Sequence, residues 1–136
     1  MATATALKHS ATKQLPLPNA DFFQFAETLS DEERAVVKKV RDYMQTKVAP
    51  IINQHWVEDT FPFELLPSYK ELNIAGLGIN GYGCPGGSPV LFALVALEIA
   101  RTDVSFCTFH GVHTGLAMNS IYLAGAEEQK QKWLGA

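Results

Sequence analysis

The side chains best suited to bind a metal are Cys107, His110 and His113, which follow one another at intervals of three residues. Thiolate and imidazole are common zinc ligands, and this spacing would line all three along one ridge of a helix. Three ligands on consecutive turns of a straight helix rarely converge on one ion, and no fourth ligand is evident. Phe106 and Phe109 stand among them, so we interpret the cluster as a pocket wall or a core histidine rather than a metal site.

Glycines at 81, 83 and 86 match the dinucleotide pattern G-x-G-x-x-G, as do those at 76, 78 and 81. The pattern binds a pyrophosphate when a strand precedes it, a helix opens at its third glycine and another strand follows. Here the next helix opens later, at Pro89, and a second helix comes after it. We therefore predict a tight turn in this segment and no nucleotide site.

Glu98, Arg101 and Asp103 lie close enough in sequence to suggest an acid–base pair. A helix cap at Asp103 and a surface ion pair explain them more simply. The sequence contains no readable set of nucleophile, base and orienting acid. We interpret His55 and Trp56 as packing residues.

The first half of the chain predicts helices that would position these groups. Ser30 and Glu33 form a capping box, and apolar residues continue at helical spacing as far as Val48. Pro50 is expected to kink or end this helix, which resumes over 51–56. A second helical stretch covers 62–72, with a fresh start at Pro67, and a glycine-rich loop follows over 74–89.

The second half predicts two apolar helices and a short charged one. Ser88 and Pro89 begin a helix whose body, 90–100, is apolar on nearly every face and should be buried all round. The next helix is capped by Thr102 or Asp103 and runs toward Leu123, and a charged helix follows over 127–133. The pattern predicts an all-α helical bundle whose apolar surface needs cover from a further domain or subunit.

Composition excludes several classes of protein. The 136 residues carry a net charge of −3 without a basic patch, which argues against nucleic acid as a partner. The longest apolar run, 90–100, is too short to span a membrane. The two cysteines are far apart, which favours a reduced, cytoplasmic protein. We expect a disordered or extended lead-in over 1–26 and one helical domain over 27–136.

Several motifs in order resemble the N-terminal helical domain of acyl-CoA dehydrogenases. Residues 98–103 read EIARTD, 121–125 read IYLAG and 127–134 read EEQKQKWL. Residues 29–33, LSDEE, and 48–50, VAP, are similar to the first helix of that family and its proline. The loop GYGCPG at 81–86 resembles the subgroup that holds glutaryl-CoA dehydrogenases and plant short-chain acyl-CoA oxidases.

The resemblance implies a flavoprotein that oxidises an acyl-CoA thioester to the trans-2-enoyl-CoA with FAD as hydride acceptor. In the family, the catalytic glutamate lies in a C-terminal helical domain, and the main FAD contacts come from a central β domain and from that C-terminal domain. Residues 27–136 match only the domain before them, so we expect this chain to hold no FAD and to be inactive alone. Its partners would be those two domains and further copies in a dimer or tetramer, in the cytoplasm or an organelle matrix.

The helix corresponding to 103–123 lines the acyl-chain pocket in the family. By position, the residues implied to face the substrate are Cys107, Thr108, Gly111, Val112, His113 and Leu116. Glutaryl-CoA dehydrogenases have an arginine at the position of Cys107, and a thiol cannot pair with a carboxylate in that way. An apolar, short or branched acyl group is therefore expected. The alternative function is a stand-alone helical module that binds an acyl-CoA-like ligand or docks on a flavoprotein.

Overall fold

A computed structural model describes residues 21–135, which are helical with no β-strand, so the all-α prediction is confirmed. Most of the expected lead-in, 1–20, lies outside the described residues. The α-helices in the described range are α1 (Asp31–Tyr43), α2 (Ala49–Val57), α3 (Leu66–Lys70), α4 (Pro89–Thr102), α5 (Val104–Gly111), α6 (Asn119–Ala124) and α7 (Glu127–Trp133). Two 3₁₀ turns (Phe25–Thr28 and Phe63–Leu65) and two π-helical segments (Met44–Val48 and Val112–Met118) complete the helical structure described.

The start of α1 is the capping box expected from the sequence. The Glu33 N–H donates to Ser30 Oγ at 3.2 Å, and the Ser30 N–H donates to Glu33 Oε2 at 3.1 Å. The other oxygen of Glu33 accepts from the Ser88 N–H at 3.1 Å, at the start of α4. The Ser88 interaction, then those with Ser30, lower the pKa of Glu33. One carboxylate therefore stabilises two helix N-termini.

Pro50 does not end the first helix. The chain stays helical from Asp31 to Val57, and the perturbation falls in the π-helical segment before the proline. The Ala49 N–H donates to the Met44 carbonyl, five residues back. This wider turn accommodates a proline because the ring has no N–H and would clash with the carbonyl four residues earlier.

The start of α3 and the glycine-rich loop agree with the sequence prediction. A 3₁₀ turn precedes α3, and Pro67 lies in the first turn of that helix, as expected for a fresh start. Residues 71–88 form no helix, and Gly76 adopts a φ of +77° that L-residues rarely take. The loop therefore depends on glycine for its path.

The core forms where α1 and the first π-helical segment pack against α4 and α5. Its most completely buried members are apolar side chains from these four elements, namely Val40, Met44, Val48, Val95, Ile99 and Phe106. Within 90–100, Ala93 and Ala100 are exposed and the other residues are buried or half-buried. The described residues therefore cover most of α4 and leave the stripe with these two alanines open, and its cover by a further domain or subunit stays a prediction.

A second correction concerns Glu98, expected in a surface ion pair. Its side chain is 4% exposed and accepts from Arg41 Nε at 2.9 Å and Nη2 at 2.6 Å. Arg101 Nη1 donates to the same carboxylate at 2.9 Å. The Glu98 carboxylate thus joins α4 to α1 through Arg41, a partner 57 residues away that local sequence does not indicate.

We expect Gly76→Ala to destabilise the fold by about 2–3 kcal/mol, through the backbone cost of positive φ plus a steric clash. A Cβ at Gly76 would lie 2.8 Å from Cys84 Sγ and 3.0 Å from Met118 Cε. The matched control is Gly78→Ala, where φ is +97° and no atom lies within 4 Å. That change should cost about 1 kcal/mol. Equal shifts in the urea unfolding midpoint would show that the space around Gly76 is unimportant.

Candidate functional site

The helix from α5 through α6 carries the residues implied by the family resemblance. Asp103 fixes its start, accepting from the Phe106 N–H at 2.7 Å and from Trp56 Nε1 at 2.7 Å, which confirms the predicted cap. The inward face is buried and consists of Phe106, His110, Thr114 and Met118. Thr108, Val112 and Leu116 lie between these residues and are exposed, so they face away from this domain's core.

Thr108, Gly111, Val112 and Leu116 lie together on that outward side, and we call these four residues the outward strip. Val112 is 49% exposed and Leu116 64% exposed, whereas Gly111 is half-buried. No atom lies within 4 Å of the place a Cβ would occupy on Gly111. The strip is an apolar surface that the described residues leave uncovered.

Cys107 and His113 lie at the edges of the outward strip. Cys107 is half-buried and turns toward α4, where its Sγ donates to the Ala96 carbonyl at 3.7 Å. His113 is exposed, and its ring stacks on Phe109 with centroids 6.4 Å apart. The structure therefore groups four of the six candidates and sets these two to either side.

The π-helical segment Val112–Met118 was not predicted. Each π turn holds more residues than an α turn, so the spacing of side chains around the axis of this segment differs from that of a regular α-helix. Glycines at 111 and 115 inside a helical pattern are the sequence feature that could have indicated an irregular segment.

The three zinc-ligand candidates do not converge. Cys107 contacts α4, His110 is buried in the core at 3% exposure, and His113 lies on the surface. Within residues 21–135, no group of three or more His, Cys, Asp or Glu side chains has the geometry to hold a metal ion. Of the two interpretations left open for His110, the structure selects the core histidine.

His110 is buried among aromatic rings. Its ring meets Tyr69 edge to face with centroids 6.2 Å apart, and it lies 6.4 Å from Phe92. Burial, with a smaller contribution from His113, lowers the pKa of His110 to about 4. The imidazole is therefore neutral at neutral pH.

The glycine-rich loop does not fit a flavin or nucleotide site. Its Cys84 Sγ donates to the Leu134 carbonyl at 3.3 Å, and the Tyr82 hydroxyl donates to Glu127 Oε2 at 3.1 Å. The loop thus packs against α7 and the residues after it. The following helix N-terminus already binds the Glu33 carboxylate, and that negative charge opposes a pyrophosphate there.

A separate cavity of about 320 Å³ lies at the end of α2 and was not predicted from the sequence. Its wall consists of Ile52, His55, Trp56, Asp59, Thr60, Phe61 and Ser105. His55 Nδ1 lies 2.8 Å from Thr60 Oγ1, and its Nε2 lies 3.3 Å from Glu64 Oε1. These contacts stabilise the turn after α2. Trp56, interpreted from the sequence as a packing residue, is instead 60% exposed.

None of the described helices has the length and apolar character needed to cross a membrane.

Comparison with known proteins assigns the fold to a family. The family model described as "Acyl-CoA dehydrogenase, N-terminal domain" matches residues 30–136. An acyl-CoA dehydrogenase of Bacillus subtilis (strain 168) is 30% identical over 107 residues, covering 78% of this chain and 28% of the relative. A short-chain-specific acyl-CoA dehydrogenase of Clostridium acetobutylicum is 27% identical over the same shares of the two chains.

Solved structures agree with this assignment. A glutaryl-CoA dehydrogenase of Mycobacterium smegmatis in complex with FADH2 superposes with a TM-score of 0.75 at 34% identity, covering 83% of this chain and 29% of that one. The butyryl-CoA dehydrogenase of Megasphaera elsdenii gives a TM-score of 0.70 at 26% identity, covering 79% and 29%. This chain thus spans less than a third of these relatives, and it belongs to the acyl-CoA dehydrogenase family, as its N-terminal helical domain.

Proposed function

We propose that this chain is the N-terminal portion of a flavin-dependent acyl-CoA dehydrogenase and forms one wall of its acyl-chain pocket. The observation that carries the proposal is the outward strip, an apolar helical surface left open by the chain's own helices. Such a surface is stabilised when an apolar ligand or another domain covers it. Membership of the family makes an acyl chain the ligand that fits best.

Each side chain contributes differently to this wall. Val112 and Leu116 supply apolar contacts to the acyl tail, and Gly111 leaves room for the tail to approach the helix backbone. Thr108 adds a hydroxyl at the edge. Cys107 offers no positive charge to a distal carboxylate, so the preferred acyl group is apolar, short or branched. We place His113 near the substrate, at the edge of the outward strip.

The rest of the enzyme supplies the chemistry. FAD, when bound there, would accept the hydride from the acyl β-carbon. Because the helix N-terminus after the glycine-rich loop is occupied by the Glu33 carboxylate, and because the family's main FAD contacts lie elsewhere, we assign FAD and the catalytic base to the flavin β domain and the C-terminal helical domain. This chain binds and orients the acyl tail and excludes water from it. We further propose domain bounds of 27–136, a homodimer or homotetramer, and a cytoplasmic or organelle-matrix location.

The proposal is tested by comparing two purified proteins. One is the 136-residue chain, and the other is this chain joined to the flavin β domain and the C-terminal helical domain of an acyl-CoA dehydrogenase. Only the longer protein should contain FAD and reduce an artificial electron acceptor when given an acyl-CoA. Turnover or stoichiometric FAD in the short chain would contradict the proposal. Acyl-CoA binding by a monodisperse, cooperatively folding short chain would instead favour the stand-alone module.

Narrowing the wall should alter substrate preference in the longer protein. We expect Val112→Trp to lower kcat/KM for a medium-chain acyl-CoA by roughly 10- to 100-fold while changing butyryl-CoA much less, because the added ring shortens the pocket. Lys47→Ala, an exposed change on the far side of the domain's first helix, is the control. Equal losses for both substrates would place Val112 outside the pocket.

A further inference from the structure

We propose that the Tyr69 hydroxyl and His110 Nε2 are hydrogen-bonding partners in the core, directly or through one water, and that their link positions the helix bearing the outward strip. The hydrogen bond itself does not depend on the function proposed above. Its role in positioning the outward strip rests on that proposed function.

The two atoms are matched in burial and in lacking other partners. Tyr69 is 7% exposed and His110 3% exposed, and their rings are in edge-to-face contact. Among residues 21–135, Tyr69 Oη and His110 Nε2 are the side-chain nitrogen and oxygen atoms that are fully buried without a hydrogen-bond partner. Buried polar atoms are nearly always paired in folded proteins, because leaving one unpaired carries its full desolvation cost. The structure shows no direct hydrogen bond between the two atoms, so the link we propose runs through one water or forms on a small rotation of the touching rings.

The chemistry of the two groups is complementary. Burial raises the pKa of Tyr69, with smaller contributions from Tyr43 and Cys107, so its hydroxyl stays protonated and can donate. A neutral imidazole has one nitrogen free to accept. Donation from Tyr69 to Nε2 would place the imidazole proton on Nδ1 and so select one tautomer.

The other neighbours offer no competing partner. Phe92, on α4, and Phe109, on the same helix as His110, present apolar rings. The Tyr43 hydroxyl, from α1, is already engaged with the Leu65 carbonyl at 3.0 Å and with Ser68 Oγ at 2.8 Å. The remaining titratable neighbours, Cys107 and His113, lie on the same helix as His110, and Cys107 Sγ bonds Ala96.

The position of His110 explains why a hydrogen bond from Tyr69 would affect the outward strip. The His110 carbonyl accepts from Thr114 Oγ1 at 2.7 Å, and the π-helical segment begins two residues after His110. A bond from Tyr69 would therefore tie α3 to the turn where the helix changes pitch. Because rotation about the helix axis decides which side chains face outward, this tie would set the direction of Val112 and Leu116.

A double-mutant cycle in the full chain tests the pairing. Tyr69→Phe and His110→Leu should each raise the unfolding equilibrium constant roughly tenfold, since each leaves one buried polar atom unpaired. The double variant should raise it far less than the product of the two single effects, because neither orphan remains. Tyr82→Phe combined with His110→Leu is the matched control and should be additive, as Tyr82 lies in a separate cluster. Additive effects in both cycles would overturn the pairing.

Nitrogen-15 spectra and substrate profiles separate pairing from positioning. At neutral pH the His110 Nε2 signal should be that of an unprotonated nitrogen, and Tyr69→Phe should shift it while His113 stays unchanged. An unmoved His110 signal would overturn the pairing.

In the longer enzyme, Tyr69→Phe should change the ratio of kcat/KM between medium-chain acyl-CoA and butyryl-CoA. A constant kcat/KM ratio together with a shifted His110 nitrogen signal would overturn the positioning role alone. A longer protein without acyl-CoA activity would refute the proposed function, and a shifted His110 signal would still support the pairing.

Discussion

Replacing Glu98 with glutamine is expected to lower the free energy of unfolding by about 3 kcal/mol, because it leaves two arginines facing a neutral amide in a buried site. Glu98 is 4% exposed, and Arg101 is 17% exposed at its side chain. Arg41 is 44% exposed, so water compensates part of its loss and keeps the effect at the lower end of the range for buried pairs. The hydrogen bonds with Glu98 also raise the pKa of Arg41.

Urea unfolding at neutral pH measures this difference. Asp42→Asn is the control, since the Lys38–Asp42 ion pair is 73% and 54% exposed at its side chains. That exposed pair should contribute less than about 1 kcal/mol. If the two variants lose the same stability, the buried network contributes no more than a surface ion pair.

Acid should destabilise the domain through His110 by about 3 kcal/mol, because its pKa in the folded state is about 4 and its ordinary value is 6.5. The folded state favours the neutral imidazole, so the unfolded chain binds the proton more readily. This contribution is complete above pH 6.5 and is lost as the pH falls toward about 4. The physical cause is burial against Tyr69 and Phe92, where a positive charge has no compensating partner.

The difference between two pH profiles isolates this effect from the carboxylates, which titrate in every variant. His110→Leu should have a flatter stability profile than the parent between pH 6.5 and 4, whereas His113→Gln, an exposed change, should keep the parent's slope. Parallel profiles for the parent and His110→Leu would mean that His110 has the same pKa in the folded and unfolded states, contrary to its burial.

Features that depend on a few neighbouring residues were predictable from the sequence. The capping box at Ser30, the caps at Ser88 and Asp103, and the fresh start at Pro67 are each made within four residues. Their hydrogen bonds need no information from the rest of the chain. The same local order of motifs was sufficient to identify the family.

Pro50 and Glu98 show where local rules fail. A proline in a helical pattern indicates a break, but packing of Met44 and Val48 in the core keeps the helix intact and shifts the strain into a π turn. A glutamate beside an arginine suggests a surface pair, but the Glu98 side chain is buried and also pairs with Arg41 from another helix.

For the proposed pocket wall, too, some features were predictable from the sequence and others depended on tertiary packing. Sequence and resemblance were enough to name its residues and to predict that a helix carries them. Long-range packing was needed to establish that Thr108, Val112 and Leu116 face outward, that Cys107 turns to α4, and that His110 is enclosed by Tyr69. Helix formation is governed by bonds between residues close in sequence, whereas burial depends on which distant elements pack against each face.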